Sequence, residues 1–447
     1  MSHFREQQGL SKKVIILLII ACAVPRILLS LVNTEVNDDH ITTVLLWQKK
    51  GEYPKARDCW ECFQPPLFYS IIKVASSAIG ASEYQEIFNV IQFVNLFFSI
   101  GISWLIIWFI IRLKLSKLLT IALSLFWALN PELVSIGALA TNDSLVILLG
   151  MAFSIVFINY IQKESIRTEL SLYILLFLLG ITKGNGLLFC GIAPIVILIK
   201  LIRSKQINMA TTLRKLVLWS ITIIVIASTG LYYKKYQDFQ NPFITNVDPP
   251  YEKATWDTPG SFKFRKGVNT IKEAVFTFPI QSLLEKPYNK NGYDDHIPHR
   301  QNIWTQMLGQ FTNHVFERHP PKWISDDNDM ENFARSNFIL HLGLLAAIFL
   351  GLIIGLIRRN SQISLVHIFH LITVILYLLF VLNYAVKFRD FSFMKVVFLF
   401  PALLSLVHLT SSGIKVWNKP KLFAYLLFAC TILYQLNFIY LVRALIV

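Results

Sequence analysis

Asn37-Asp38-Asp39-His40 sets two carboxylates side by side, next to an imidazole, just past the first apolar run of the chain. Like charges this close push one of the two pKa values up. A carboxyl group tuned in this way can accept the proton of a hydroxyl, which is general-base chemistry. One member of the pair would serve as the base while its neighbour orients an acceptor or holds a cation, with His40 as a polar contact. The same residues also suit a plain structural task, because Asp is a favoured helix N-cap.

Further polar clusters interrupt the apolar chain. Cys59-Trp60-Glu61-Cys62 is followed by Gln64-Pro65-Pro66-Leu67-Phe68-Tyr69, where Pro and amphipathic aromatics suit the start of a helix lying at a membrane surface. Cys59 and Cys62 could close a small disulfide or remain thiols. Zinc would need a second such pair or a His pair at ligand spacing, and neither is present. Asn142-Asp143-Ser144 sits between two apolar runs, either as a helix cap or as a substrate contact. Lys183-Gly184-Asn185-Gly186 breaks another run, and a cation at such a break can meet a phosphate or simply snorkel to the surface. Arg389, beside Asp390, and Lys395 lie at the start of a late run, where each could neutralise a bound anion or pair with a neighbour. Between these regions, Tyr293-Asp294-Asp295-His296 and His299-Arg300 form a second polar cluster. Trp304, Gln306 and Trp323 could stack on a sugar ring or fill a small loop core.

What must position these groups is a set of membrane helices. The chain has 447 residues, of which 54% are hydrophobic and only 15% charged, with a mean hydropathy of +0.53. A soluble protein carries nearer a quarter charged residues, and the apolar runs reach the length that crosses a bilayer. The predicted fold is all-α and polytopic, with about eleven spans near 14–32, 87–111, 118–139, 145–161, 170–183, 186–203, 216–233, 337–357, 362–384, 391–413 and 421–446. Short helices are expected in the first loop, one over 42–48 ended by Gly51 and an interfacial one over 66–80. The organisation is then an N-terminal membrane module over 1–233, whose first outer loop (33–85) carries the acidic pair, a large loop over 234–335, and C-terminal spans over 336–447. The first run is too long for a signal-peptide core and is expected to stay as a helix.

With the N-terminus in the cytoplasm, the short inside loops carry Arg112, Lys114 and Lys117, then Lys163 and Arg167, then Arg203, Lys205, Arg214 and Lys215, then Arg358 and Arg359, then Lys415, Lys419 and Lys421. This follows the positive-inside rule and places every cluster named above on the extracytoplasmic side. The same rule accounts for the net charge of +15, so no nucleic-acid partner is expected. No P-loop, dinucleotide fingerprint or H-E-x-x-H occurs, which argues against a nucleotide-driven engine. Cys22, Cys190 and Cys430 fall inside apolar runs and are expected to be inert core thiols.

Taken in order, these residues resemble the GT-C superfamily of integral-membrane glycosyltransferases. The likeness is to the polyprenyl-phosphate-sugar group that includes protein O-mannosyltransferases and lipid A aminoarabinose transferases. It rests on Asp38-Asp39, Gly51-x-Tyr53-Pro54, Gln64 to Tyr69, Asn142-Asp143, Thr182-Lys183-Gly184 and the stretch from Lys395 to Pro401. It covers about 12–205 and, more loosely, 335–413. The family often has Asp-Glu where this chain has Asp38-Asp39, and Arg-Tyr where it has Val397-Phe398, which would shift a phosphate role there to Lys395 or Arg389.

The resemblance implies a sugar donor on a polyprenyl or dolichyl phosphate and an acceptor hydroxyl on a lipid, glycan or protein. Transfer would invert the anomeric centre, by analogy with inverting glycoside chemistry. Asp38, with Asp39, would be catalytic. Lys183, Arg389 and Lys395 would bind the donor phosphate, and His40, Gln64, Asn142, Asp143 and Trp304 would contact substrate. No particular cofactor is implied, and a divalent cation is compatible with the acidic pair. Two rivals stand beside this expectation. A secondary transporter would carry its ionisable groups within the spans, where this chain has few. A non-catalytic scaffold would use the large loop as a binding surface.

Overall fold

The computed structural model describes residues 10–36, 39–204, 209–246, 248, 270–287, 297–314, 323, 328–358, 363–389 and 394–446. The chain is an all-helical polytopic membrane protein, and among the described residues no strand occurs and nine helices are long and apolar enough to cross a membrane. The expected third and fifth spans are represented by helices of 12 and 15 residues, shorter than a full crossing.

The first module runs through α1 (Lys12–Val32), α2 (His40–Lys50), α3 (Leu67–Ile79), α4 (Tyr84–Arg112), α5 (Lys117–Ala128), α6 (Pro131–Ser135), α7 (Asp143–Gln162), α8 (Ile166–Gly180), α9 (Leu188–Ser204) and α10 (Met209–Thr229). Local chemistry sets the ends. The Ser11 hydroxyl accepts from the Val14 amide at the start of α1, Asp39 caps α2, and Glu83 with Glu86 forms a capping box on α4. Gly51 and Gly80 end α2 and α3 in the left-handed region, where a side chain would be strained.

Pro25 lies inside α1, and the next residue, Arg26, is fully buried. Its guanidinium donates to Ser99 Oγ at 2.7 Å, Cys22 O at 2.7 Å and Ala128 O at 2.6 Å. Ala128 is the last residue of α5, so Arg26 satisfies a carbonyl that the helix end leaves open. Asn130-Pro131 then starts α6, with the Asn130 amide donating to Phe311 O at 2.8 Å.

The predicted seventh span ran through to 233, but α10 stops at Thr229, and Tyr232–Phe239 forms a separate helix, α11. Between them Leu231 has φ 65°, a left-handed conformation costly for a branched residue, and it turns the chain off the α10 axis.

In the large loop, helices Ile271–Val275, Ile280–Glu285 and Ile303–Thr312 are described. The last of these is mostly buried, and Gln310 Oε1 accepts from the Val396 amide at 2.9 Å. Three long helices, Asn328–Arg358, Leu365–Phe388 and Pro420–Ile446, complete the bundle together with a composite element. That element is a 3-10 segment, Val396–Ala402, running into helix Leu403–Val416. It packs across α7 at Gly150, where a Cβ would lie 2.5 Å from Pro401 O. The core is built chiefly from α4, α5, α7 and this composite element. α10 instead turns Leu213, Leu216, Ile221 and Ile224 outward, as a helix facing lipid would.

Candidate functional site

The first loop folds into a wall through contacts between its separate motifs. The Tyr53 hydroxyl donates to Gln64 O at 2.9 Å, and His40 Nδ1 lies 2.6 Å from the Tyr69 hydroxyl. Cys59 and Cys62 form a disulfide, one of the states the sequence left open. The Leu67 amide donates to Ile181 O at 2.9 Å, which docks α3 against the end of α8, next to Lys183. The expected interfacial helix is α3, which this contact docks against the bundle.

Behind that wall lies a cavity of about 410 Å³, within the range of small-molecule sites. His40, Glu61, Gln64, Asp143, Lys183 and Lys395 give it a polar side, and Leu187, Leu188, Phe380 and Phe398 an apolar one. Five of the expected site residues, His40, Gln64, Asp143, Lys183 and Lys395, therefore line one cavity although they are spread over more than 350 positions of the chain.

Within the polar side the charges are arranged unevenly. Lys183 Nζ sits 2.5 Å from Asp143 Oδ1, and Thr141 Oγ1 donates to Asp143 Oδ2 at 2.7 Å. Each side chain of the pair is little more than a tenth exposed. Lys183 is thus the counter-ion of Asp143. The turn that carries it, Gly184–Leu187, depends on Gly186, where a Cβ would stand 2.5 Å from Leu179 O. Glu61 is also engaged, accepting from Gln64 Nε2 at 3.2 Å and Asn246 Nδ2 at 3.0 Å.

The remaining expected residues stand elsewhere. Asp38, with Asn37, lies outside the described residues, as do Asp390 and the Tyr293–His296 cluster. Asp39 is the α2 N-cap, accepting from the Thr42 amide at 3.2 Å and hydroxyl at 2.7 Å, and is not on the cavity wall. Asn142 is fully buried and does not line the cavity. Arg389 ends helix Leu365–Phe388 with φ 51° and does not line the cavity. Trp304 is also away from it, donating through Nε1 to Val275 O at 2.7 Å. Trp323 is fully buried, with Nε1 on Asn33 Oδ1 at 2.9 Å, and Gln306 is buried too. These aromatic and amide side chains therefore pack the loop against the bundle.

Sequence reasoning missed other groups. α11 and the segment after it line part of the cavity: Asn246 reaches Glu61, and just beyond it Asp248 pairs with Lys387 at 2.6 Å. Lys235, on α11, lines the cavity and is 4% exposed. Burial holds its ammonium down at about 7. Asn185 lines the cavity inside a motif already singled out for its lysine. Glu132, on α6, lies within electrostatic reach of Lys395 and Asp143. Lys235 carried no signal beyond a basic flank, since its neighbour Lys234 is exposed.

A comparison with protein-family models gives no match, and neither does one with curated protein sequences. Among solved structures, the chain is similar to ArnT from Cupriavidus metallidurans bound to undecaprenyl phosphate, with 13% identity and a TM-score of 0.47 over 92% of this chain and 62% of that one. It is also similar to the arabinofuranosyltransferase AftD from Mycobacteria, with 12% identity and a TM-score of 0.45 over 96% of this chain and 27% of that one. The chain thus spans less than two thirds of the length of each of these two proteins.

Proposed function

We propose that the protein is a membrane glycosyltransferase that moves a sugar from a polyprenyl-phosphate donor to an acceptor hydroxyl on the extracytoplasmic side. The observation that carries this reading is the cavity itself. A single space joins a polar side holding Asp143, Lys183 and Lys395 to an apolar side holding Leu187, Leu188, Phe380 and Phe398. A lipid phosphate bearing a sugar has that same division of character. The basic short loops at the other ends of the spans support an extracytoplasmic opening.

In this reading Asp38, two residues before the wall residue His40, takes the proton of the acceptor hydroxyl. The acceptor oxygen attacks the anomeric carbon as the bond from that carbon to the phosphate oxygen breaks. The phosphate leaves with the bonding electron pair, and the configuration inverts. The leaving phosphate needs no proton, but its growing charge needs cations, and Lys395 faces the cavity for that role. Lys183 contributes through its pair with Asp143.

Replacing Asp38 by Asn in reconstituted membranes tests the base. Loss of transfer by about a hundredfold or more is expected, with donor binding retained. Full donor-dependent activity in that variant overturns the assignment.

A further inference from the structure

Two side chains in the cavity are underused by the contacts around them. Asn185 is 4% exposed, and neither its amide oxygen nor its amide nitrogen has a hydrogen-bond partner among the described residues. Buried amides almost always find partners, so one without any calls for an explanation. Its turn is held in place, because the Tyr377 hydroxyl donates to the Asn185 carbonyl at 2.9 Å.

Lys235 is equally buried. Its hydrogen bond is to Phe63 O at 3.3 Å, long for a charged donor, and Nζ sits 4.3 Å from the Tyr232 ring centroid. Among the described residues no carboxylate pairs with it, and an ammonium has three protons to give. A ligand that satisfied both side chains would bring an anionic oxygen to Lys235 and a further polar oxygen to Asn185. Leu187 and Leu188 continue the wall just past Asn185, so the same ligand would carry an apolar chain.

We propose that Lys235 and Asn185 form the recognition pair for the anionic head of a lipid-borne phosphodiester. This rests on reading the cavity as a lipid-donor site. It moves charge recognition away from Lys183, which is committed to Asp143, and onto α11, an element outside every motif of the sequence. Because Lys235 must be protonated to bind an anion, and burial holds it at about 7, affinity should fall as pH rises through neutrality. The titratable groups around it are Lys55 and Glu61 of the first loop, Tyr232, Lys234 and Asp238 of α11, and Tyr384 of helix Leu365–Phe388. His40, Asp143, Lys183 and Lys395 stand elsewhere on the cavity wall.

The test is binding to the full chain in neutral phosphatidylcholine nanodiscs, measured calorimetrically between pH 6 and pH 9. Farnesyl methyl phosphate is the probe, since it keeps one negative charge throughout that range. Farnesol and inorganic phosphate separate the lipid chain from the free anion. The wild type is expected to bind the diester about tenfold or more tightly at pH 6 than at pH 9, and inorganic phosphate far more weakly. Lys235→Met should lose about tenfold at pH 6 and become insensitive to pH. Lys235→Arg should bind well at both, because guanidinium stays charged. Asn185→Ala should weaken the diester several-fold and leave farnesol unchanged. Unchanged binding in Lys235→Met overturns the proposal. So does a pH dependence that survives in Lys235→Arg, and so does a wild type that ignores the diester. Lys235-dependent binding by a protein that transfers no sugar would leave this inference standing and remove the enzymatic reading.

Discussion

Lys183 and Lys235 line the same cavity from different elements, one from the turn after α8 and the other from the helix after α10. Lys183 is paired at 2.5 Å with Asp143, whereas Lys235 has a single carbonyl at 3.3 Å and an aromatic ring. The first is a cation whose charge is matched inside the protein. The second is a cation that the fold buries without a matching charge, which is costly unless a ligand supplies one. The difference separates a group that builds the site from a group that waits for what the site binds.

Stability measurements should give the two lysines opposite signs. Lys183→Met leaves Asp143 buried and uncompensated, and is expected to cost about 3–5 kcal/mol. Adding Asp143→Asn should recover part of that loss, as thermal unfolding in detergent would show. If Lys183→Met is neutral, the pair is not structural. Lys235→Met should instead stabilise the ligand-free protein. An unfolded Lys titrates near 10.5, while the folded one titrates at about 7. Between these values the unfolded chain holds a proton that the folded chain lacks, so stability rises with pH across that window and is lowest below 7. The gain from Lys235→Met is therefore expected to be largest below pH 7, on the order of a few kcal/mol, and to shrink toward pH 10. A destabilising, pH-independent Lys235→Met would break the comparison.

Two smaller effects sharpen it. Gly186→Ala forces a shift of the turn that carries Lys183 and Asn185, because Leu179 O stands 2.5 Å from the new Cβ. A loss of about 1–3 kcal/mol is expected, with weakened ligand binding on both sides of the cavity. Asp39→Ala removes the α2 cap, and a loss of about 1 kcal/mol is expected. That variant should keep transfer activity, in contrast to Asp38→Asn, and an equal loss of activity in both would return Asp39 to the chemistry.

The unequal legibility of these groups has physical causes. Lys183 stood out in the sequence because glycines around a cation break an apolar run. Its partner Asp143 stood out separately, and nothing local could join two residues 40 positions apart. Most spans were legible through their length and hydropathy, although two of the eleven expected are shorter than a crossing, and the glycines ending the short helices α2 and α3 were legible too. α11 was not, because Gly230-Leu231 continues an apolar run, and only the left-handed backbone at Leu231 ends it. Lys235 was lost with it, as one of two adjacent lysines that look like a basic flank. Asn185 lay inside a motif chosen for its charge, and an amide reveals itself only when the structure leaves it without partners. Trp304 erred in the other direction: an aromatic in a polar loop suggests a sugar platform, but its indole N–H is spent on Val275 O.

The most direct test supplies the purified protein in proteoliposomes with a labelled pool of polyprenyl-phosphate sugars and a membrane extract as acceptor. Label on the acceptor and free polyprenyl phosphate are followed together. The predicted result is protein-dependent appearance of both in equal amounts, reduced about a hundredfold or more in Asp38→Asn. Uptake of a solute with no sugar transferred from any lipid-linked donor would contradict the account and favour a transporter.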